Sequence, residues 1–196
     1  GVISNYESDV FTPLFRRLEE LSGKKYGSTL PAAGSIGDTQ QEKDDVAFRV
    51  IADHIRTLSF AIADGIQPGN SDRNYTLRRI LRRAVKYGRT LEFKEPFFYK
   101  LVDVLAAQMG EVFPELRAKK EQIKNVLKIE EEAFNKTLDR GIEQFATLLV
   151  YGIRDHIYET LPSSKDGIEL RGFGLNAGIN TGMGGRVTHV DAEGDF

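Results

Sequence analysis

The stretch "DVAFRVIADHIRTLSFAIAD" (residues 45–64) has the length of a helix but too many apolar residues for a surface helix. A helix that is apolar around most of its circumference is buried in a protein core. The stretch ends at Gly65, and the turn-forming sequence GIQPGNSD with Pro68 and Gly69 follows. We therefore expect residues 45–64 to form a core helix against which the rest of the chain packs.

The segments on either side of this helix also have helical patterns. Apolar spacing predicts an amphipathic helix in residues 5–22, followed by a polar, glycine-containing loop in residues 23–44. Pro96 suits the first turn of another helix over residues 95–109. The longest helix is predicted over residues 115–145, and its apolar stripe consists of Ile123, Leu127, Phe134, Leu138, Ile142 and Phe145. The expected fold is all-α, a helical bundle with a long C-terminal helix.

The sequence changes character after residue 146. The last fifty residues contain nine glycines, and acidic residues outnumber basic ones there. A segment with so little apolar surface gains little from burial to offset its ordering entropy. We therefore predict a helical domain in residues 1–146 and a divergent, glycine-rich tail in residues 147–196 that is poorly ordered or irregular.

The overall composition limits the classes of function. The 196 residues include 27 basic and 29 acidic side chains, which give a net charge of −2. Without cysteine, a disulfide framework and a thiolate metal site are excluded, which is compatible with a reducing compartment. No apolar run approaches the roughly 18 residues of a membrane span, and no secretion leader is recognisable. The first residue is Gly1 rather than Met, which suggests a piece of a longer protein.

Catalytic and cofactor-binding patterns are weak, so we expect no catalytic, cofactor or metal residue in this chain. His54, His156 and His189 lack ligand spacing, and His54 is expected to be a partly buried, hydrogen-bonded side chain. The run Glu130 to Glu132 is interpreted as a solvated helix face. The glycine-rich stretches GFGLNAG (172–178) and TGMGG (181–185) lack the phosphate-loop pattern.

The most informative segment is "NYTLRRILRRAVKYGR" (residues 74–89), which has six basic side chains and no acidic one. On a helical wheel its apolar arc consists of Leu77, Ile80, Leu81, Ala84, Val85, Tyr87 and Gly88. The opposite arc consists of Arg78, Arg79, Arg82, Arg83, Lys86 and Arg89. Like charges four residues apart repel each other, so a helix with this face is expected to have an anionic partner. The charges alone leave a nucleic acid, a membrane surface or an acidic protein open.

Five blocks of sequence resemble alanyl-tRNA synthetases, in the order found in that family. They are SNYESDVF (4–11), AFRVIADHIRTLSFAIADGIQPGN (47–70), LRRILRRAVKYGR (77–89), EPFFYKLVDVL (95–105) and EEEAFNKTLDRG (130–141). The resemblance covers about residues 1–146. It implies the helical domain that follows the class II catalytic core and grips the tRNA acceptor stem, and it therefore favours RNA as the anionic partner.

The resemblance also implies roles for individual residues. Asn70 aligns with the asparagine that helps to read a G·U wobble pair in the acceptor stem. The predicted RNA-binding residues are Asn70, Arg73, Arg78, Arg79, Arg82, Arg83, Lys86 and Arg89. The arginines and Lys86 are expected to contact phosphates, while the turn at residues 67–73 approaches base edges. The implied setting is the cytoplasm, and the implied partners are tRNA and the catalytic core of the same parent chain, with no membrane.

Three departures from the family limit what the resemblance implies. The catalytic core would lie before Gly1, so this chain alone is expected to be inactive, although the parent uses ATP with Mg²⁺ and, in an editing domain, zinc. Asn74 stands where the family has glycine, and Asn tolerates a positive φ and caps helices well. The family's acceptor-stem-reading aspartate has its nearest counterpart in Glu159, within IYETLP (157–162).

Two functions from other classes remain as alternatives. A DNA-binding helix-turn-helix module would read bases with the first residues of its second helix, whereas the cations here run along the whole helix. A basic scaffold would dock an acidic protein or a membrane surface. A helix on a membrane surface needs a free apolar face for lipid, but this helix is expected to bury that face in the core.

Overall fold

The computed structural model describes residues 4–31, 35 and 37–160, with the side chains of residues 153–160 left out. The helices are α1 Thr12–Ser22, α2 Gln40–Ala63, α3 Asp72–Thr90, α4 Val102–Met109, α5 Pro114–Ala118 and α6 Lys120–Thr160. Two 3₁₀ turns span Asn5–Glu7 and Phe98–Leu101, and the described residues contain no strand. The predicted all-α fold with a long C-terminal helix is confirmed. The chain divides into two compact units, Gly1–Lys136 and Thr137–Phe196.

The core of the first unit is built around α2, as its apolar composition predicts. The α2 residues Phe48, Ile51, Ile55, Leu58 and Ile62 have no exposed side-chain surface. The most extensive partner of α2 is α3, and α1, α4 and the turn Phe98–Leu101 also pack against it. Burying each large apolar side chain of this kind contributes about 2 kcal/mol, so the α2 side chains are a substantial source of the stability of the unit.

The boundaries of the first two helices differ from the prediction because of their capping residues. Residues 5–22 do not form one helix: the 3₁₀ turn Asn5–Glu7 comes first, and α1 begins at Thr12 with Pro13 in its first turn. Helix α2 begins five residues earlier than predicted. The Thr39 side chain accepts from the Glu42 amide, and the Glu42 carboxylate accepts from the Thr39 amide, which forms a capping box. The loop therefore ends at Thr39.

The loop after α1 is held in place by buried charges of α2. The carboxylate of Asp45, which has no exposed surface, accepts hydrogen bonds from the Gly27 amide and from the amide and hydroxyl of Thr29, each at 2.7 Å. Burial raises the pKa of Asp45, but these bonds together with one from Gln41 lower it below the ordinary 3.8. Arg49 donates from Nε to the Tyr26 hydroxyl at 2.8 Å. The loop is thus an anchored part of the unit.

The segment predicted as one helix over residues 115–145 is two helices. Helix α5 ends at Ala118, Lys119 lies outside both helices, and α6 begins at Lys120. Of the predicted apolar stripe, Ile123 and Leu127 are fully buried, whereas Ile142 and Phe145 are exposed. Apolar spacing predicts which face of a helix can be buried. Whether that face is buried depends on another element packing against it. In the second unit, residues 137–160 continue α6 past the predicted end at residue 145.

Several sequence-based expectations concern residues that the structure does not describe. The two glycine-rich stretches and His189 lie outside the described residues, and so do the side chains of His156 and Glu159. The division of the chain at residue 146 and the character of residues 161–196 stay predictions. Within the described residues, no helix is long and apolar enough to cross a membrane.

The interpretation of Glu130 to Glu132 as a solvated face is wrong for Glu131. Its carboxylate is fully buried and accepts from the Phe97 amide at 3.0 Å and from the Phe98 amide at 3.0 Å. These amides begin the helical segment Phe98–Met109, whose first donors have no partner within the helix. Glu131 therefore caps this segment from α6, and helical spacing could not reveal so distant a partner.

Burial makes Glu131 a source of pH-dependent stability. Burial raises its pKa from 4.5 to about 7, although the hydrogen bonds from Phe97 and Phe98 and the charge of Lys100 oppose the rise. The folded state thus binds the proton more tightly than the unfolded state. The resulting stability is fully present below pH 4.5 and is lost as the pH rises through 7. This rise in pKa corresponds to about 3 kcal/mol of unfolding free energy.

We expect Glu131→Gln to flatten the dependence of stability on pH. Glutamine keeps an acceptor oxygen for the two amides but does not ionise. Urea unfolding should show that, between pH 5 and pH 8, the free energy of unfolding falls by about 2 kcal/mol more in the wild type than in the variant. Equal losses in the two proteins would show that Glu131 is not the titrating group.

Candidate nucleic-acid interface

Helix α3 divides into a buried and a charged face, as the helical wheel predicts. Leu77, Leu81, Ala84 and Val85 are buried in the core, and Ile80 and Tyr87 are partly buried. Gly88 faces the Phe97 ring so closely that a β-carbon there would lie 2.4 Å from Cε1. Phe97 in turn stacks on Phe93 with ring centres 3.8 Å apart. The inward face of α3 is thus fixed by packing, and its outward face has a defined direction.

The structure divides the predicted cations of this face into two groups. Arg78 and Arg89 are partly buried and paired with side chains of α6. The exposed cations are Arg73, Arg79, Arg82, Arg83 and Lys86. None of these five forms an ion pair with a described residue. This exposed set, defined here as the α3 cation face, contains four of the six cations of the arc together with Arg73, and all of its charges are positive.

Arg78 joins three parts of the first unit. Its Nε and Nη2 atoms donate to the two carboxylate oxygens of Glu130 at 3.0 Å and 2.6 Å. Its Nη1 atom donates to Oδ1 of Asn70 in the turn before α3. A two-point contact between a guanidinium and a carboxylate fixes orientation as well as distance. Arg78 therefore holds Asn70 in place, and its own charge is largely matched by Glu130.

Two further cations of α3 contact α6. Arg89 donates from Nη2 to Oδ1 of Asn135 at 3.1 Å. The guanidinium of Arg82 lies 5.3 Å from the centre of the Phe134 ring, within cation–π range, while the side chain stays exposed. Sequence reasoning placed Phe134 in an apolar stripe and did not find these contacts. Their only signal is that Glu130, Phe134 and Asn135 lie within two turns of one helix.

Aromatic rings on α3 lie within cation–π range of two exposed arginines. The Arg79 guanidinium lies 5.9 Å from the centre of the Tyr75 ring, and that of Arg83 lies 6.0 Å from the Tyr87 ring. Each ring is four residues from its arginine, which is a neighbouring position on a helix surface. Tyr75 and Tyr87 thus border the cations of this face.

The turn before α3 presents Asn70 at the surface. Asn70 is exposed, and its backbone lies between the turn residues Pro68 and Gly69 and the N-cap Ser71. The expectation that Asn74 supplies the cap or a positive φ is wrong. Asp72 has the positive φ, 47°, and Asn74 lies inside α3. The backbone carbonyl oxygen of Asn74 accepts from the Gly69 amide at 2.9 Å. This bond closes the turn, and Asn70 is thereby held at the start of the α3 cation face.

His54 is the one histidine whose side chain the structure describes. His54 is partly buried, with Nδ1 3.7 Å from a carboxylate oxygen of Asp53. Burial lowers the pKa of His54, the charge of Asp53 opposes this, and the nearby Arg83 lowers it further. His54 is thus partly buried, as expected, but its contact with Asp53 is longer than a hydrogen bond. No group of three or more His, Cys, Asp or Glu among the described residues could hold a metal ion.

A basic pocket adjoins the α3 cation face. It has a volume of about 330 Å³ and is lined by Lys43, Arg83, Lys86, Tyr87 and Thr90. Lys43 belongs to α2, and sequence reasoning did not include it among the site residues because it lies in the stretch predicted as a loop. The pocket therefore combines cations from two helices.

Comparisons with known proteins agree with one another. A family model described as tRNA synthetases class II (A) matches residues 1–165. An alanine–tRNA ligase of Akkermansia muciniphila is 59% identical over 145 residues, which is 72% of this chain and 15% of the relative. That of Chlorobium phaeobacteroides is 49% identical over 149 residues, 76% of this chain and 16% of the relative. The cytoplasmic alanine–tRNA ligase of Dictyostelium discoideum is 50% identical over 149 residues, which is 76% of this chain and 15% of the relative. The chain thus spans about 15% of the length of these curated relatives.

Proposed function

The chain belongs to the alanyl-tRNA synthetase family of class II tRNA synthetases, and from this premise we propose that it binds and positions the acceptor stem of tRNA. The observation that carries the proposal is the α3 cation face, whose five exposed cations have no carboxylate partner among the described residues. Phosphate contacts of this kind set the register and orientation of a protein on a duplex. The face is rigid because its other side is packed on α2.

In a longer alanine–tRNA ligase, this region would serve the ATP-dependent attachment of alanine to tRNA during protein synthesis. We place that reaction in the cytoplasm, as in the name of the Dictyostelium relative. Membership of this family implies ATP with Mg²⁺ in the catalytic core of the parent and zinc in an editing domain. The role of this region is then to hold the RNA while another domain performs the chemistry.

The geometry favours RNA over the two alternative classes of partner. A membrane-surface role would require the apolar face of α3, but Leu81, Ala84 and Val85 are already buried. A DNA-reading module would place base-contacting side chains in the first turns of α3, whereas the cations here extend to Lys86 near its end. Backbone contact along a duplex uses cations distributed in this way.

A binding panel tests the proposal directly. We expect the full chain to bind an acceptor-stem RNA hairpin more tightly than DNA of the same sequence or anionic vesicles. Five phosphate contacts predict a slope of roughly −4.5 for the logarithm of affinity against the logarithm of salt concentration. Filter binding between 50 and 200 mM KCl measures both quantities. Tighter binding of the DNA or the vesicles would reject RNA as the partner.

Base readout by Asn70 is a finer part of the proposal. A wobble pair leaves the guanine amino group without a base partner in the shallow minor groove of RNA. The Asn70 oxygen has two lone pairs, so it can accept from Arg78 with one and from that amino group with the other. Because Arg78 is fixed by Glu130, the oxygen is oriented before the RNA binds.

We expect Asn70→Ala to abolish the preference for G·U over G·C. One such hydrogen bond contributes about 1 kcal/mol, which corresponds to about fivefold in affinity. The measurement compares the dissociation constants of two hairpins that differ only in this pair. Asn70→Asp is the matched control, since it keeps the acceptor oxygens and should keep the preference. An alanine variant with an unchanged preference would leave Asn70 as a turn residue only.

A further inference from the structure

The basic pocket between α2 and α3 contains more positive charge than its surroundings neutralise. Lys43, Arg83 and Lys86 line it together with the hydroxyl-bearing side chains of Tyr87 and Thr90. No described carboxylate lies within ion-pair distance of these three cations. Such a cluster is costly in the free protein because the cations repel one another, and an anion in the pocket would relieve that cost.

The carboxylates that are near the pocket residues in sequence form salt bridges with Lys24. Asp44 follows Lys43 in the chain, but its carboxylate lies 3.2 Å from Nζ of Lys24. Glu92, two residues after Thr90, lies 3.1 Å from the same Nζ atom. Lys24 also donates to the Thr90 carbonyl at 3.1 Å, which satisfies an acceptor at the end of α3. Asp44 and Glu92 are thus both paired with Lys24, and the net charge of this group, −1, is smaller than the charge of the three pocket cations.

The composition of the pocket fits a phosphate group. A phosphate offers several acceptor oxygens, and the pocket offers two lysine ammonium groups, one guanidinium and two hydroxyls as donors. At about 330 Å³ the pocket also has room for the sugar that adjoins a phosphate in a nucleic acid. Arg83 and Lys86 belong both to the pocket and to the α3 cation face, so a strand lying along that face passes the pocket entrance.

We propose that this pocket binds one phosphate of the RNA backbone, so that the RNA-binding surface extends from α3 onto α2 through Lys43. The proposal rests on the RNA-binding function proposed above. The contact is to a phosphate, so it sets register and carries no base preference. Removing Lys43 should therefore weaken binding of the G·U and G·C hairpins by the same factor.

The test uses the full chain, an acceptor-stem RNA hairpin and KCl between 50 and 200 mM. Lys43→Ala should reduce the steepness of the salt dependence by about 0.9, the value for one phosphate contact with a duplex. Between 50 and 200 mM KCl, the factor by which affinity falls should then be roughly 3.5 times larger for the wild type than for the variant. Lys94→Ala is the matched control, because Lys94 is exposed and lies outside the pocket. It should leave the salt dependence unchanged.

Inorganic phosphate, titrated at constant ionic strength, distinguishes an RNA phosphate from a free anion. We expect millimolar phosphate to displace the hairpin no better than sulfate does. A Lys43→Ala variant with the wild-type salt dependence, while Arg82→Glu still weakens RNA binding, would overturn the pocket proposal and leave the RNA-binding function standing. Equal losses in the Lys43 and Lys94 variants would also overturn it, because they would indicate diffuse attraction. If the wild type binds no hairpin, both proposals fail together.

Discussion

Replacing Arg79, Arg82 and Arg83 together by glutamate is expected to lower the affinity for an acceptor-stem RNA hairpin about 100-fold. Each exposed contact contributes about 1 kcal/mol, and the three losses act on one continuous face. The slope of affinity against salt should fall by roughly 3, because three phosphates are no longer neutralised. Filter binding of the wild type and the variant at several salt concentrations measures both changes.

The control for this experiment changes the net charge by the same amount away from α3. Lys25 and Lys94 are exposed and Arg17 is partly exposed, all three outside the α3 cation face, and their replacement by glutamate should lower affinity far less. Arg78 is left unchanged because a glutamate there would face Glu130 and disturb the fold. If both triple variants lose affinity equally, net charge rather than the α3 cation face governs binding.

The largest effect on stability is expected from Asp45→Ala, which should lower the free energy of unfolding by about 4 kcal/mol. The change removes the acceptor of three hydrogen bonds from Gly27 and Thr29 and of one from Gln41. Each buried donor left without an acceptor lowers the free energy of unfolding by about 1 to 3 kcal/mol. The loss is smaller for the partly exposed donors here, because water can accept hydrogen bonds from them. Urea unfolding followed by circular dichroism measures the loss.

Asp38→Ala is the matched control for Asp45. Asp38 is an exposed aspartate just before α2, so its removal should change stability by less than about 0.5 kcal/mol. The loss of unfolding free energy in Asp45→Asn should lie between those of the two alanine variants. One side-chain oxygen still accepts hydrogen bonds, but the new NH₂ group faces donors and cannot accept from them. A small effect of Asp45→Ala would mean that the loop of residues 23–31 is held mainly by Arg49 and the aromatic contacts around Tyr26.

The sequence predicts those parts of the fold that depend on local periodicity. The apolar character of residues 45–64 predicts the core helix, and the wheel of residues 74–89 predicts the buried face of α3. The early start of α2 was also encoded, since Thr39 and Glu42 have capping-box spacing. The polar, glycine-containing composition of residues 23–44 favours a loop and masks the capping signal at its end.

Long-range pairing is what the sequence could not predict. Glu130, Glu131 and Glu132 are adjacent and chemically identical, yet the first pairs with Arg78, the second is buried as a cap, and the third is exposed. Their roles depend on which side of α6 meets α3 and Phe97, and no local pattern specifies this. The same holds for the cation face: periodicity predicts which cations share an arc, but only the fold separates Arg78 and Arg89 from the exposed five.

The cap provided by Glu131 has a consequence for the order of events during translation. The Phe97 and Phe98 amides are synthesised 34 and 33 residues before the carboxylate that accepts from them. At about 5 to 20 residues per second, a ribosome needs roughly two to seven seconds to add that interval. Over this time the nascent chain has α1, α2 and α3 but not the group that caps the segment Phe98–Met109. Folding of the first unit is therefore completed from its C-terminal side, once Glu131 has left the exit tunnel.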